Sequence, residues 1–204
     1  MIALKNVTLS IEGKLLFNRL SLEVPAGGRM LINGASGTGK TTLLRMLLGF
    51  VLPDDGTVSI DGQTLSVDNV WQLRRKMAYV SQEMQIGRGT AGAFIREVLH
   101  FQSNRSIAYE RDRVKSLLSD FQLGSDTLDK KLEDLSGGEL QRFAIIVTLL
   151  LDRKIFLLDE VTSALDKPLK KLIVDYFSAM HDKTLIISSH DAIWHEQNFP
   201  TITL

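Results

Sequence analysis

The 204-residue chain is predicted to form an α/β domain built on a largely parallel sheet. Short apolar strands alternate with amphipathic helices along most of its length. A glycine loop, "GASGTGKTT" at 34–42, joins a buried strand to a helix. A second buried strand, "KIFLLDE", runs straight into a pair of acids. Strands of a parallel sheet are covered on both faces and therefore read as continuous apolar runs.

The elements follow in order. "IALKNVTLSI" and "RLSLEV" alternate apolar and polar residues, with "EGK" and "PAGG" as breaks, so the first third reads as strands and turns. "RMLING" is a short buried strand leading into the glycine loop. "KTTLLRMLLGF" carries apolar residues at helical spacing and meets Gly49 near its end. "LPDDG" is a turn, while "TVSID" and "MAYVSQ" are strands. The run Arg74, Arg75, Lys76 reads as a solvated helix face, and packing is the expected role of Trp71 and Trp194. From Gly87 to Leu135 the texture changes. "AGAFIREVLHF" and "SIAYERDRVKSLLSDFQL" are amphipathic helices with no strand between them, which marks a helical insertion. "GGELQRFAIIVTLLLD" is a helix, and "KPLKKLIVDYFSAMH" is another with Pro168 in its tolerated first turn. "TLIISSH" is a buried strand and "TITL" a last short one.

With 44% hydrophobic residues the chain buries a sizeable core. Lys plus Arg and Asp plus Glu are both 24, and this neutral balance argues against broad electrostatic capture of nucleic acid or anionic lipid. No cysteine is present, so disulfides and thiolate metal sites are excluded. His100, His181 and His195 show no metal-ligand spacing. The N-terminus lacks a positive region ahead of an apolar stretch, as a signal peptide would need. The longest apolar runs, "LLRMLLGFVL" and "FAIIVTLLL", fall well short of the roughly 20 residues that span a bilayer, so membrane association is expected through a partner.

Residues Gly34, Ala35, Ser36, Gly37, Thr38, Gly39, Lys40 and Thr41 match G-x-x-x-x-G-K-[ST] in the required strand–loop–helix setting. Glycines let backbone N–H groups turn inward around phosphate oxygens, and the helix N-terminus, continuing through Thr42, adds a favourable dipole. Lys40 is placed for the β- and γ-phosphates and the Thr41 hydroxyl for Mg²⁺. Asp159 and Glu160, closing an apolar strand, suit the Mg²⁺ shell and the polarisation of an attacking water. Without the phosphate loop they would read as two solvated acids at a strand end. His190 and Gln82 each end a buried strand. Active groups of open α/β sheets gather at such carboxyl ends, although a lone histidine is also read as structural. A second helix start, Ser136, Gly137 and Gly138 in "LSGGELQR", has the form of another anion-holding tip.

The phosphate loop, Gln82, "LSGGELQR", "IFLLDE", "SALD" at 163–166 and His190 occur in one order at compatible spacings. Together they resemble the nucleotide-binding subunit of ABC transporters over nearly the whole chain. The resemblance implies a phosphate-loop NTPase (RecA-like) core with a mainly parallel sheet, an N-terminal antiparallel β region and an inserted α-helical subdomain. Residues 1–86 and 152–204 would form the core and 87–151 the helical part of one ABC ATPase domain.

ATP and Mg²⁺ are the implied ligands. Lys40 with the backbone of Gly37 and Gly39 resembles the phosphate grip, and Thr41 and Gln82 resemble metal ligands beside Asp159. Glu160 resembles the catalytic base, and His190 the residue that touches the γ-phosphate. The signature Ser136–Gly138 would face the ATP of a second copy packed head to tail, and Asp166 would sense the other site across that interface. Hydrolysis would then open the dimer.

The family's adenine-stacking aromatic is missing. The matching position falls near Ile11, and no aromatic precedes Phe17, so preference for ATP over GTP is in question. Val161 stands where the family usually has proline. The chain stops fourteen residues after His190, which predicts a stand-alone motor peripheral to the cytoplasmic side of the inner membrane. That motor is expected to dock on a separate permease through Gln82 and roughly Glu83–Phe101, with Met84, Ile86 and Phe94 as candidate contacts. The wording "LLDEVTSALD" resembles the ATPase of two-component metal (iron) exporters. Coupling to mechanical or signalling work, as in cell-division complexes, is the alternative.

Overall fold

The structure is a computed structural model that describes residues 1–82 and 87–204. The chain opens with β1 (Ile2–Ile11) and β2 (Lys14–Val24), then β3 (Arg29–Asn33) and α1 (Lys40–Leu47). After β4 (Asp55–Ile60), β5 (Gln63–Thr64) and α2 (Val70–Arg74) comes β6 (Met77–Val80). Helices α3 (Ala91–His100), α4 (Arg111–Asp120) and α5 (Gly137–Leu150) follow. The last elements are β7 (Ile155–Asp159), α6 (Lys167–Ser178), β8 (Thr184–Ser188), α7 (Ala192–His195) and β9 (Thr201–Thr203).

Two sheets organise these elements. One is antiparallel with strand order β2-β1-β4-β5, and the other is wholly parallel with order β6-β7-β8-β3-β9. The parallel sheet is apolar on both faces because alternate residues of each strand serve different cores. Ile155, Leu157, Ile32 and Ile186 join the apolar residues of α1 and the antiparallel sheet. Phe156, Leu158, Leu31 and Ile187 join α3, α4, α5 and α6. Strands β3, β7 and β8 run the same way, so their carboxyl ends meet along one rim, next to the N-terminus of α1.

Helix α1 forms because Leu43, Leu44, Met46 and Leu47 fall on one buried face. It ends where the phosphate-loop reading placed the break. Gly49 takes φ +70°, donates to Met46 O at 2.9 Å, and lets Phe50 N–H reach Arg45 O at 2.9 Å. This pair of bonds is the Schellman closure that glycine permits.

Three local expectations are corrected. The run 74–76 is not a solvated helix face. Only Arg74 lies in α2, and its Nε donates to Leu48 O at 2.6 Å and its Nη2 to Gly49 O at 3.3 Å, closing the end of α1. Its guanidinium stacks between Phe50 and Trp71, 4.1 and 4.8 Å from the ring centroids. Lys76 instead pairs with Asp61. Trp71 is 71% exposed rather than packed in a core, whereas Trp194 is fully buried as expected. Helix α4 starts at Arg111, not at Ser106. Before it, buried Asn104 donates to Val98 O at 2.7 Å beyond α3, and Ile107 packs against the larger core as an anchor outside any helix. Within the expected docking segment, Phe94 lies partly buried against Phe143, while Glu83, Met84, Gln85 and Ile86 fall outside the described residues.

Arg74→Ala is expected to lower stability by about 1–3 kcal/mol, since it removes both the carbonyl caps and the stacked cation. Urea unfolding measures this, and an unchanged midpoint would refute the capping role.

Candidate functional site

At the sheet rim the loop from Gly34 to Gly39 turns back on itself. Gly37 and Gly39 take φ values of +82° and +105°, which L side chains rarely adopt. A Cβ on Gly39 would also stand 3.0 Å from Leu16 and Phe17, so the loop is pressed against β2. Thr38 closes the turn, its hydroxyl donating to Ala35 O at 3.0 Å. Helix α1 starts at Lys40 with no side-chain cap, so its first N–H groups face the loop interior.

Lys40 is 8% exposed and donates to Gly34 O at 2.8 Å and Ala35 O at 3.2 Å. Its ammonium lies 3.3 Å from the Glu160 carboxylate, which is itself buried. Such a pair is sustained only by mutual compensation, and removing one partner from a buried pair costs about 3–5 kcal/mol. On the other side of Glu160, His190 Nδ1 stands 3.0 Å from the carboxylate. Glu160 Oε2 is buried and makes no aligned hydrogen bond. The His190 side chain is 66% exposed and opens toward solvent.

Glu160 holds a left-handed φ of +50°, a conformation that costs a non-glycine residue about 1–3 kcal/mol. The turn is fixed from several sides. Glu160 N–H donates to Ser188 O at 2.9 Å, and Ser163 donates through both N–H and Oγ to Glu160 O at 3.1 and 2.9 Å. Next along, the Thr162 hydroxyl donates to Asp191 at 2.6 Å, and Lys170 pairs with the same carboxylate at 2.7 Å. Burial raises the Asp191 carboxyl, but the bonds from Lys170 and Thr162 outweigh it and hold the group below the ordinary aspartate range.

Asp159 is fully buried and accepts from Ser188 Oγ at 2.7 Å and Tyr79 OH at 3.0 Å. The first contact follows from the parallel register, which sets Asp159 opposite Ser188. Burial pushes the Tyr79 hydroxyl well above its usual pKa, and the neighbouring Asp159 charge adds to this, so the hydroxyl is a firm donor.

The glycine loop, Lys40, Glu160 and His190 surround one cavity of about 730 Å³. Gly34, Ala35, Ser36, Gly37, Gly39, Lys40, Thr41, Thr42, Gln82, Glu160 and His190 all line it. Ile11, Glu12, Lys14 and Leu16 also line it, and no aromatic ring is among the lining residues. Thr41 and Gln82 also border an adjoining recess that contains Asp159, Tyr79 and Arg45. A triphosphate and its divalent cation fit this arrangement. Inward-turned glycines, an uncapped helix start and a buried ammonium suit the phosphates, while Thr41, Gln82 and Asp159 form an oxygen set for the cation.

The signature residues lie elsewhere. Ser136 caps α5, and Ser136 and Gly137 are exposed, outside the cavity lining. Ser136 and Glu139 form a capping box: Ser136 N–H and Oγ donate to Glu139 Oε2 at 2.9 and 2.7 Å, and Glu139 N–H donates back to Ser136 Oγ at 3.3 Å. The Ser136 hydroxyl bond leads the interactions that hold the Glu139 carboxyl below its usual range. Asp166 caps α6 by accepting from Leu169 N–H at 3.0 Å. The preceding Leu165 packs 3.4 Å from the point where a Gly138 Cβ would sit, so signature and "SALD" segment are neighbours.

Sequence reasoning did not single out Tyr79, Ser188 or Asp191. The strand ends were readable, but cross-strand register is a tertiary property. Only the alternation that turns Tyr79 away from buried Ala78 and Val80 hinted at its role.

Fold and cavity define a phosphate-loop nucleotide-binding domain with a second, outward-facing helix tip. A family model described as "ABC transporter" matches residues 17–163, and the chain belongs to that family. It is 32% identical over 201 residues to the energy-coupling factor transporter ATP-binding protein EcfA1 of Mycoplasmopsis synoviae, covering 94% of this chain and 74% of that protein. It is 37% identical over 188 residues to the ABC multidrug transporter mdr2 of Aspergillus fumigatus, covering 88% of this chain but 23% of the relative's length. The sophorolipid transporter of Starmerella bombicola is 35% identical and is spanned over only 16% of its length. The dimeric structure of a bacterial ABC transporter cassette superposes with a TM-score of 0.85 at 27% identity, covering 100% of this chain and 94% of that one. The same cassette in a dimeric post-hydrolysis state, bound to ADP and Pi, gives equal values. Among the described residues, no helix is long and apolar enough to cross a membrane.

The Asp191 network yields a pH expectation. A carboxyl held below its ordinary range contributes stability that is present above the unfolded pKa and lost as pH falls through the folded one. Asp191→Asn is therefore expected to be less stable than the parent at pH 7, with the gap narrowing once pH drops below the ordinary carboxylate range. Urea midpoints at pH 7 and pH 3 measure it, and a gap that widens at pH 3 would contradict the assignment.

Proposed function

We propose that this chain binds Mg²⁺–ATP in the cavity of Lys40 and Glu160 and hydrolyses it as a head-to-tail dimer, powering transport through a separate membrane permease. The observation that carries the reading is the buried Lys40–Glu160–His190 cluster beneath an uncapped helix start. The exposed signature tip, absent from its own chain's cavity, supports a site completed by a second copy. The dimeric state of the matched cassettes supports it further.

In this reading Lys40 leaves the Gly34 and Ala35 carbonyls for the β- and γ-phosphates, with the loop N–H groups closing around them. The exchange frees Glu160 from its cation. Its carboxylate then takes the proton of the attacking water while the water oxygen bonds to the γ-phosphorus and the bond to ADP breaks. His190 steadies that water and the γ-phosphate from the open side. Thr41, Gln82 and Asp159 would hold a divalent cation, which when bound would neutralise charge at the phosphates. The partner's Ser136–Gly138 tip faces the γ-phosphate from above, so losing that phosphate loosens the pair.

The cavity lining offers Ile11, Glu12, Lys14 and Leu16 rather than a stacking ring, so we expect weak discrimination between ATP and GTP. The permease and its solute belong to the same proposal. The named relatives include multidrug and sophorolipid transporters, so a metal solute is one class to assay beside drugs and lipids. A peripheral position on the cytoplasmic face of the inner membrane follows from the proposal alone.

Lys40→Ala is expected to weaken ATP binding by about 10–100-fold, the loss of charge-assisted hydrogen bonds to phosphate. Calorimetry measures it, and unchanged affinity would refute the phosphate grip. Glu160→Gln is expected to bind ATP, turn it over very slowly and accumulate as a dimer on sizing, and adding Ser136→Arg should return it to monomer. A double variant that still dimerises with ATP would remove the cross-chain site.

A further inference from the structure

Helix α5 carries the signature at its tip and Gln141 on its second turn. Gln141 is 3% exposed, and its Nε2 donates to the carbonyl of Val161 at 2.6 Å. Val161 directly follows Glu160. The bond therefore ties the helix facing the partner's nucleotide to the backbone carrying the base for its own. Glu160 itself is held by its N–H bond to Ser188 on β8, by Lys40 at the start of α1 and by His190, none of which belongs to α5. Gln141 thus supplies a connection that reaches Glu160 from the signature side.

The amide is also half-satisfied, because Gln141 Oε1 is buried with no hydrogen-bond partner among the described residues. A residue needed only to fill this space would be apolar, because an unpaired buried acceptor is costly. A glutamine is explained if its donor is needed at the Val161 carbonyl. Ser136 and Gly137 are exposed while most of α5 beyond Leu140 is buried, so a pull at the tip acts on a stiff helix.

We propose that Gln141 is a positioning residue that transmits docking of the signature on the partner's nucleotide to Glu160. Movement of α5 shifts the Val161 carbonyl, and this sets the Glu160 carboxylate toward the attacking water. Each chain then becomes a competent hydrolase when its own signature is engaged. The inference rests on the cross-chain site proposed above.

The test compares the unsubstituted chain with Gln141→Met, which keeps length and loses the donor. A companion, Gln141→Asn, keeps the amide but is one methylene too short to reach Val161. Maximal ATP turnover is expected to fall about tenfold in both, the size of one hydrogen bond's net contribution. The ATP concentration giving half-maximal rate should shift less than twofold, and ATP-induced dimerisation in the Glu160→Gln background should be unchanged. A merely structural role would lower dimerisation and turnover together. That result, or full turnover in both variants, overturns the inference, and if Gln141→Met does not fold, Gln141→Asn decides. If the unsubstituted chain neither dimerises with ATP nor hydrolyses it, the functional proposal falls instead.

Discussion

The structure depends on one buried contact, the ammonium of Lys40 against the carboxylate of Glu160. Neither charge is tolerable alone at such burial, so each requires the other until a ligand replaces it. The contact joins the start of α1 to the end of β7, two segments 120 residues apart in sequence (160 minus 40). It exists because β3, β7 and β8 run parallel, which brings their carboxyl ends to one rim. The left-handed turn at Glu160 is part of the same design. Its strain is offset by bonds from Ser163 and to Ser188, which aim the carboxylate at the loop rather than along the strand.

Around that contact the functional groups divide into two sets. The phosphate loop, Gln82, Glu160 and His190 share one cavity. Ser136, Gly137 and Gly138 lie beside the Leu165–Asp166 segment and outside that cavity. The stretch from Glu160 to Asp166 belongs to both sets. It leaves the cavity at Glu160, is bonded by Gln141 at Val161 and by Asp191 at Thr162, and caps α6 through Asp166. Seven residues of backbone therefore link the charged floor of one site to the surface that would meet a second copy.

The groups that line the cavity were legible in the sequence, and the residues that support them were not. The phosphate loop, the acids after "KIFLL" and the serine–double-glycine tip depend on local chain geometry, so spacing reveals them. The parallel strands were equally legible, since burial on both faces leaves continuous apolar runs. The partners of Asp159 were not, because Tyr79 and Ser188 meet it only through strand register. Arg74 was misread for a related reason. Its spacing resembles an exposed helix face, yet the end of α1 presents carbonyls and Phe50, and Trp71 supplies a second ring. Trp71 thereby remains on the surface with a guanidinium for cover instead of entering a core. The segment before α4 has helical composition, but Asn104 bonds back to the Val98 carbonyl of α3 and Ile107 packs against the core, so the chain turns there and α4 starts only at Arg111.

The ringless wall of the cavity carries a consequence for the proposed function. Ile11, Glu12, Lys14 and Leu16 line the cavity from β1, β2 and the turn between them, and none of them carries a ring to stack upon a base. A nucleotide held as proposed would therefore draw its binding energy chiefly from its phosphates rather than from stacking of its base. In the proposed function, occupancy of the cavity would then follow the supply of nucleoside triphosphates in common rather than adenylate alone.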